Sequence, residues 1–191
     1  MKTQQEAIVV NVLWFNTSFL DLTNYQGSNS HNLKPCQPAN MASESFIIKV
    51  PCSSANIGPG FDVIGLALSM YLELHVTIDR SKTTSEYPLN CRVTYEGQGE
   101  DSGEISLDPD RNLLTRVALY VLRCHDQRSF PVETHVHIKN PIPLGRGLGS
   151  SGAAVVAGVL LGKECGGLKD LDNDRLFDYC LMIGEYLPSK N

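Results

Sequence analysis

The chain has 191 residues, 42% of them hydrophobic and 19% charged, and a formal net charge of -5. That length and apolar content suffice for one buried core. The acidic balance gives no sequence-independent attraction for nucleic acid or anionic lipid, which comes from clustered Lys and Arg, so any bound anion must be gripped locally.

From the N-terminus, the patch "AIVVNVLWF" lacks the basic flank and small-residue cleavage site of a signal peptide, and the surrounding residues hold too few arginines for a transit peptide. The following stretch, "DLTNYQGSNSHNLKPCQPANMASES", is rich in Asn, Ser, Gln and Pro and cannot offset its own ordering entropy. Residues 1–44 are therefore expected to form a disordered leader outside the fold. From Ser45 the pattern sharpens. "SFIIKVPC" is a β-branched run that predicts a strand, and "YLELHVTID" alternates strictly, with Leu72, Leu74, Val76 and Ile78 on one face.

"CRVTYEG" (91–97) and "VETHVHIK" (132–139) read as further strands, the second with Val132, Thr134, Val136 and Ile138 inward. His135 and His137 then fall on the polar face, and alternation alone explains them without a metal. Between these strands, "RNLLTRVALYVLRCH" has apolar residues at helical spacing behind an Asp108-Pro109-Asp110 start signal. A second helix is expected from about Ser150 to Gly166-Gly167 and a third from about Asp172 to Met182. Strands and helices mix without regular βαβ repetition, which predicts an α+β class.

The six cysteines show no CxxC and no zinc-ligand spacing, as expected of reduced thiols in the cytoplasm, and Cys52 reads as a small buried filler. The longest apolar stretch, residues 153–161, is too short to span a bilayer.

The chemistry concentrates in "NPIPLGRGLGSSGAA", where a strand gives way to a helix. Gly145, Gly147 and Gly149 permit backbone angles that Cβ-bearing residues resist, so the main chain can come close to a ligand. Ser150 and Ser151 fall at the head of the helix, where amides lack intrahelical partners and the dipole is positive, an arrangement suited to a polyphosphate. No Gly-Lys-Ser/Thr follows, so this is not a Walker A loop. On composition alone a plain tight connection is the better account of the glycines. "SSANIGPGFD" likewise reads either as an Asx-type turn or as a site in which Asn56 and Asp62 meet a small zwitterion.

Residue order is more telling than composition. "PLGRGLGSSGAA" resembles the phosphate loop of the GHMP kinases, in which Pro and three variable residues precede Gly-Leu-Gly-Ser-Ser. "VPCSSANIGPGFDVIGLAL" looks like the N-terminal signature of the homoserine kinases within that superfamily. The resemblance covers residues 46–183. It implies a two-layer α+β ATP-binding domain over residues 45–183, with an unusual left-handed βαβ crossover. It further implies transfer of the ATP γ-phosphoryl group to the hydroxyl of L-homoserine in threonine biosynthesis, with Mg²⁺ as cofactor.

On that reading Pro143, Leu144, Gly145, Arg146, Gly147, Leu148, Gly149, Ser150, Ser151 and Gly152 bind the ATP phosphates, and Asn56 and Asp62 bind homoserine. One of Ser150 and Ser151 reaches the metal, no residue is assigned as general base, and Asn112 is hinted to lie near the adenine. A homodimer is compatible with the resemblance, while nucleic acid and membrane are not expected partners. The chain departs from the family at "CLMIGEYLPSKN", where Glu185 stands one position later than the family's metal-binding acid, a rotation of about 100° on a helix. Residues 184–191 are thus expected to be a non-family tail, the family's C-terminal lobe is expected to be missing, and a catalytically incomplete nucleotide-binding fragment is the alternative to an active kinase.

Overall fold

The computed structural model describes residues 6–9, 43–60, 64–100, 103 and 105–186. Strand β1 (Glu6–Val9) lies at one edge of a five-stranded sheet with β2 (Ser43–Ala55), β3 (Gly65–Asp79), β4 (Cys91–Gly97) and β5 (Glu133–Asn140), in the spatial order β1-β2-β3-β5-β4. The sheet thus takes in four residues from the stretch that composition places outside the fold, pairing them parallel to Phe46–Lys49 of β2. A short β-branched segment can add to an open sheet edge through its backbone alone.

Strands β2 and β3 form a long antiparallel pair, and both run further than alternation predicts, β2 to Ala55 and β3 back to Gly65. Their register shifts at Pro51, which pairs with Tyr71 while its neighbour Cys52 pairs with Leu68. Proline has no N–H for the ladder, and a bulge at that point accommodates it. Strand β3 then pairs antiparallel with β5, and β5 pairs parallel with β4 through a crossover that contains helix α1 (Leu113–Arg123).

One face of the sheet is apolar and covered. Ile48, Val50, Leu72, Leu74, Val76, Ile78, Val136 and Ile138 pack in a single cluster with Leu114, Ala118 and Leu122 of α1 and Ala153, Ala157 and Leu161 of α2 (Ser150–Gly166). Cys52 is buried in the same cluster. Helix α3 (Asn173–Tyr186) joins through a second cluster in which Leu176 and Ile183 meet Val117, Val121 and Val159. Sheet on helices is the two-layer α+β arrangement. Helix α3 runs four residues beyond the expected Met182, through Gly184, since a single glycine weakens a helix without ending it.

The start of α1 is corrected by the structure. The helix is capped by Asn112, whose Oδ1 accepts from the Leu114 N–H at 3.1 Å and whose Nδ2 donates to the Ser106 carbonyl at 2.8 Å. The Asp108-Pro109-Asp110 segment instead forms the turn before it, with the Arg111 and Asn112 amides donating to the Asp108 carbonyl. An Asx side chain one residue before the helix satisfies the first orphan amides better than one further out.

A candidate phosphate-binding loop

Residues 141–149 connect the end of β5 to the head of α2, and the predicted glycines have the backbone they need. Gly145, Gly147 and Gly149 have φ values of 65°, 72° and 66°. Residues with Cβ resist that left-handed region. A Cβ added at Gly145 or Gly147 would meet nothing within 4 Å, so the turn is open at both positions. Gly149 is the N-cap of α2 and supplies no side-chain cap, which leaves the first-turn amides of the helix to other partners. Ala153 already begins the helical ladder by donating to the Gly149 carbonyl at 2.8 Å. Arg146, the basic residue of the loop, is exposed.

The loop hangs on strand β2. The Ser53 amide donates to the Leu148 carbonyl at 3.1 Å, and a Cβ on Gly149 would come within 2.4 Å of Ser53 Oγ. Leu148 packs against the main core between these points. The two motifs read separately in the sequence, "SSANIGPGFD" and "PLGRGLGSS", are therefore in contact in the fold. Asn56 follows directly after β2 with φ of 59°, a conformation that Asn tolerates better than most residues, and Gly58–Gly60 make a short 3-10 turn beyond it. Asp62 lies outside the described residues.

Ser150 and Ser151 occupy the first two positions of α2, with Ser150 half-buried and Ser151 exposed. Ser150 Oγ accepts a hydrogen bond from Asn140 Nδ2 at 3.1 Å, a contact that motif spacing does not suggest. Asn112 is buried with its amide engaged in the cap of α1. His135 and His137 lie on the sheet face away from the main core, both bonded to Thr94 Oγ1, at 3.1 and 2.9 Å. Burial and then the neighbouring Arg92 and His137 hold the His135 pKa below its ordinary value.

Among the described residues no group of three or more His, Cys, Asp or Glu converges as a metal site. The oxygen donors at the helix head are the serine hydroxyls, and neutral hydroxyls suit a Mg²⁺ that keeps most of its shell from water and phosphate oxygens. The Glu185 side chain lies outside what is described.

Residues 112–191 match the model of the GHMP kinases N terminal domain. The homoserine kinase of Saccharomyces cerevisiae is 58% identical over 141 residues, covering 73% of this chain and 39% of the relative. That of Candida albicans is 58% identical over 139 residues, covering 73% of this chain and 38% of the relative. The chain thus spans roughly two-fifths of the curated relatives it matches. Among solved structures, homoserine kinase from Cytophaga hutchinsonii superposes with a TM-score of 0.55 at 25% identity, over 78% of this chain and 43% of that one. A mevalonate kinase at 16% identity and a TM-score of 0.54 shares the fold. By domain match, identity and fold alike, residues 112–191 resemble the GHMP kinases N terminal domain, and 73% of the chain is similar to part of two homoserine kinases.

Proposed function

We infer that the chain provides the ATP-phosphate-binding part of a kinase that phosphorylates the side-chain hydroxyl of L-homoserine to O-phospho-L-homoserine. The observation that carries this reading is the contact between the two motifs. The open, left-handed glycine turn at the head of α2 is hung from Ser53, which lies three residues before Asn56 within the homoserine-kinase-like signature. A phosphate chain cradled by residues 143–152 and an amino acid held by Asn56 and Asp62 would then meet at the same end of the sheet.

In the reaction the homoserine oxygen bonds to the γ-phosphorus, the bond from that phosphorus to the β,γ-bridging oxygen breaks, and ADP leaves. The hydroxyl proton passes to solvent. Phosphoryl transfer depends mainly on alignment and charge neutralisation, which oriented backbone amides supply without reorganising, so no dedicated base is assigned. Mg²⁺, when bound, neutralises charge on the phosphate oxygens, and Ser150 or Ser151 would hold it through a hydroxyl. A cytoplasmic setting fits the free cysteines Cys52, Cys91, Cys124, Cys165 and Cys180, and no described helix is long and apolar enough to cross a membrane.

A coupled assay for homoserine-dependent ADP release, run beside equilibrium binding of Mg-ATP, tests the proposal. Turnover confirms a working kinase. Binding without turnover identifies a nucleotide-binding portion whose catalysis needs more than this chain, and absence of binding overturns the reading.

A further inference from the structure

Asn140 is the last residue of β5 and is only 6% exposed. Its backbone carbonyl accepts from the Gln98 amide at 2.9 Å, and Gly97 faces it so closely that a Cβ there would be 2.2 Å from the Asn140 oxygen. The main chain of Asn140 is therefore held in the sheet. Its side chain is equally fixed. Oδ1 accepts from the Ile142 amide at 3.1 Å, and Nδ2 donates to Ser150 Oγ at 3.1 Å.

These partners settle which way the amide points. The Ile142 N–H can only donate, so it must face the carboxamide oxygen, and Nδ2 must then face Ser150. Because Nδ2 can only donate, the Ser150 hydroxyl is compelled to accept there. Its own proton and remaining lone pair are left for other partners. The same side chain spans the loop, tying the residue that precedes it to the first residue of α2. Together with the Ser53–Leu148 bond, this tie restrains a segment whose glycines would otherwise leave it free.

We propose that Asn140 is a positioning residue of the phosphate loop, which fixes the polarity of the Ser150 hydroxyl and shapes the head of α2 before nucleotide arrives. This rests on the nucleotide-binding reading given above. Preorganisation of this kind lowers the ordering cost of binding without touching the ligand.

The test uses the full chain and two readouts, Mg-ADP affinity by calorimetry and amide hydrogen exchange of the ligand-free protein. Asn140→Ala removes both side-chain bonds, to Ser150 and to Ile142; it should weaken Mg-ADP binding about five- to tenfold and speed exchange over residues 143–152 while leaving β3 and α1 unchanged. Ser150→Ala should weaken binding at least as much, and the double variant should lose less than the two single losses multiplied together, since the Asn140–Ser150 tie is gone in both.

Asn140→Asp is nearly isosteric and keeps the acceptor for Ile142, yet at neutral pH it offers Ser150 no donor. Its affinity relative to the parent should fall at neutral pH and recover as acid protonates the new carboxyl, a pH profile that mere packing would not produce. Unchanged affinity and loop exchange in Asn140→Ala, losses that multiply in full in the double variant, or a flat profile for Asn140→Asp would overturn the proposal. Should the parent chain bind no Mg-ADP, the nucleotide reading fails by itself, and the exchange measurement still judges whether Asn140 shapes the loop.

Discussion

At the head of α2 a Cβ on Gly145 or Gly147 would meet nothing within 4 Å, whereas one on Gly158 or Gly162 would stand 2.5 or 2.9 Å from the carbonyl oxygens of Leu114 and Ala118 on α1. The first pair is exposed and has φ above zero, while the second is buried in ordinary helix. Glycine in the loop is required for backbone angle and access; glycine in the helix is required because α1 passes so close. The loop and the helix that follows it thus show two uses of the missing side chain, and substitution should separate them.

Gly149 lies where both requirements coincide, with φ of 66° and Ser53 Oγ 2.4 Å from the added carbon, so Gly149→Val should have the largest effect. Strain at a left-handed position costs on the order of 1–3 kcal/mol before any clash is counted. Calorimetry should find Mg-ATP affinity reduced at least about tenfold, and a thermal melt should show lower stability. Gly158→Val should destabilise by roughly 1–3 kcal/mol through overpacking against Leu114 and Val117, measured by denaturant titration. Its folded fraction should nevertheless bind nucleotide with normal affinity. If it did not, the division between loop and helix glycines would collapse.

Gly145→Ala has only the backbone penalty, about 1–2 kcal/mol, and should weaken nucleotide binding with a small fall in Tm. The smallest expected effect lies at the other end of α2. Burial pushes the Glu164 carboxyl above its ordinary value, against the pull of Lys163, and an acid near a helix C-terminus also opposes the dipole. A carboxyl with a raised folded-state pKa contributes stability that is fully present below its unfolded value and is lost as pH rises through the folded one. Glu164→Gln should therefore raise stability at neutral pH by at most about 1 kcal/mol, since the group is only half-buried, and should be neutral in acid. Melting curves at both pH values measure this.

Periodic features were the readable ones. The bounds of α2, Ser150–Gly166, follow from glycine punctuation, and the inward residues of β3 and β5 follow from alternation. The first half of β3 was not legible, because Leu66, Leu68 and Met70 are apolar yet exposed and Ala67 breaks the contrast between faces. Strand β1 carries little signal in the sequence, because its pairing is a matter of backbone at an open edge. Within the candidate site, the glycines were visible as a local motif, but Ser53 and Asn140 were not. Ser53 bonds a partner far along the chain and Asn140 one across the loop, and neither spacing nor composition encodes either bond.

On the proposed nucleotide-binding reading, the Ser53–Leu148 bond would couple ligand capture to tertiary closure. Moderate urea that frays the far end of β2 should release nucleotide ahead of global unfolding, and saturating ligand should protect that end by mass action. A nucleotide titration on this chain accordingly doubles as an assay of whether its two halves have found each other.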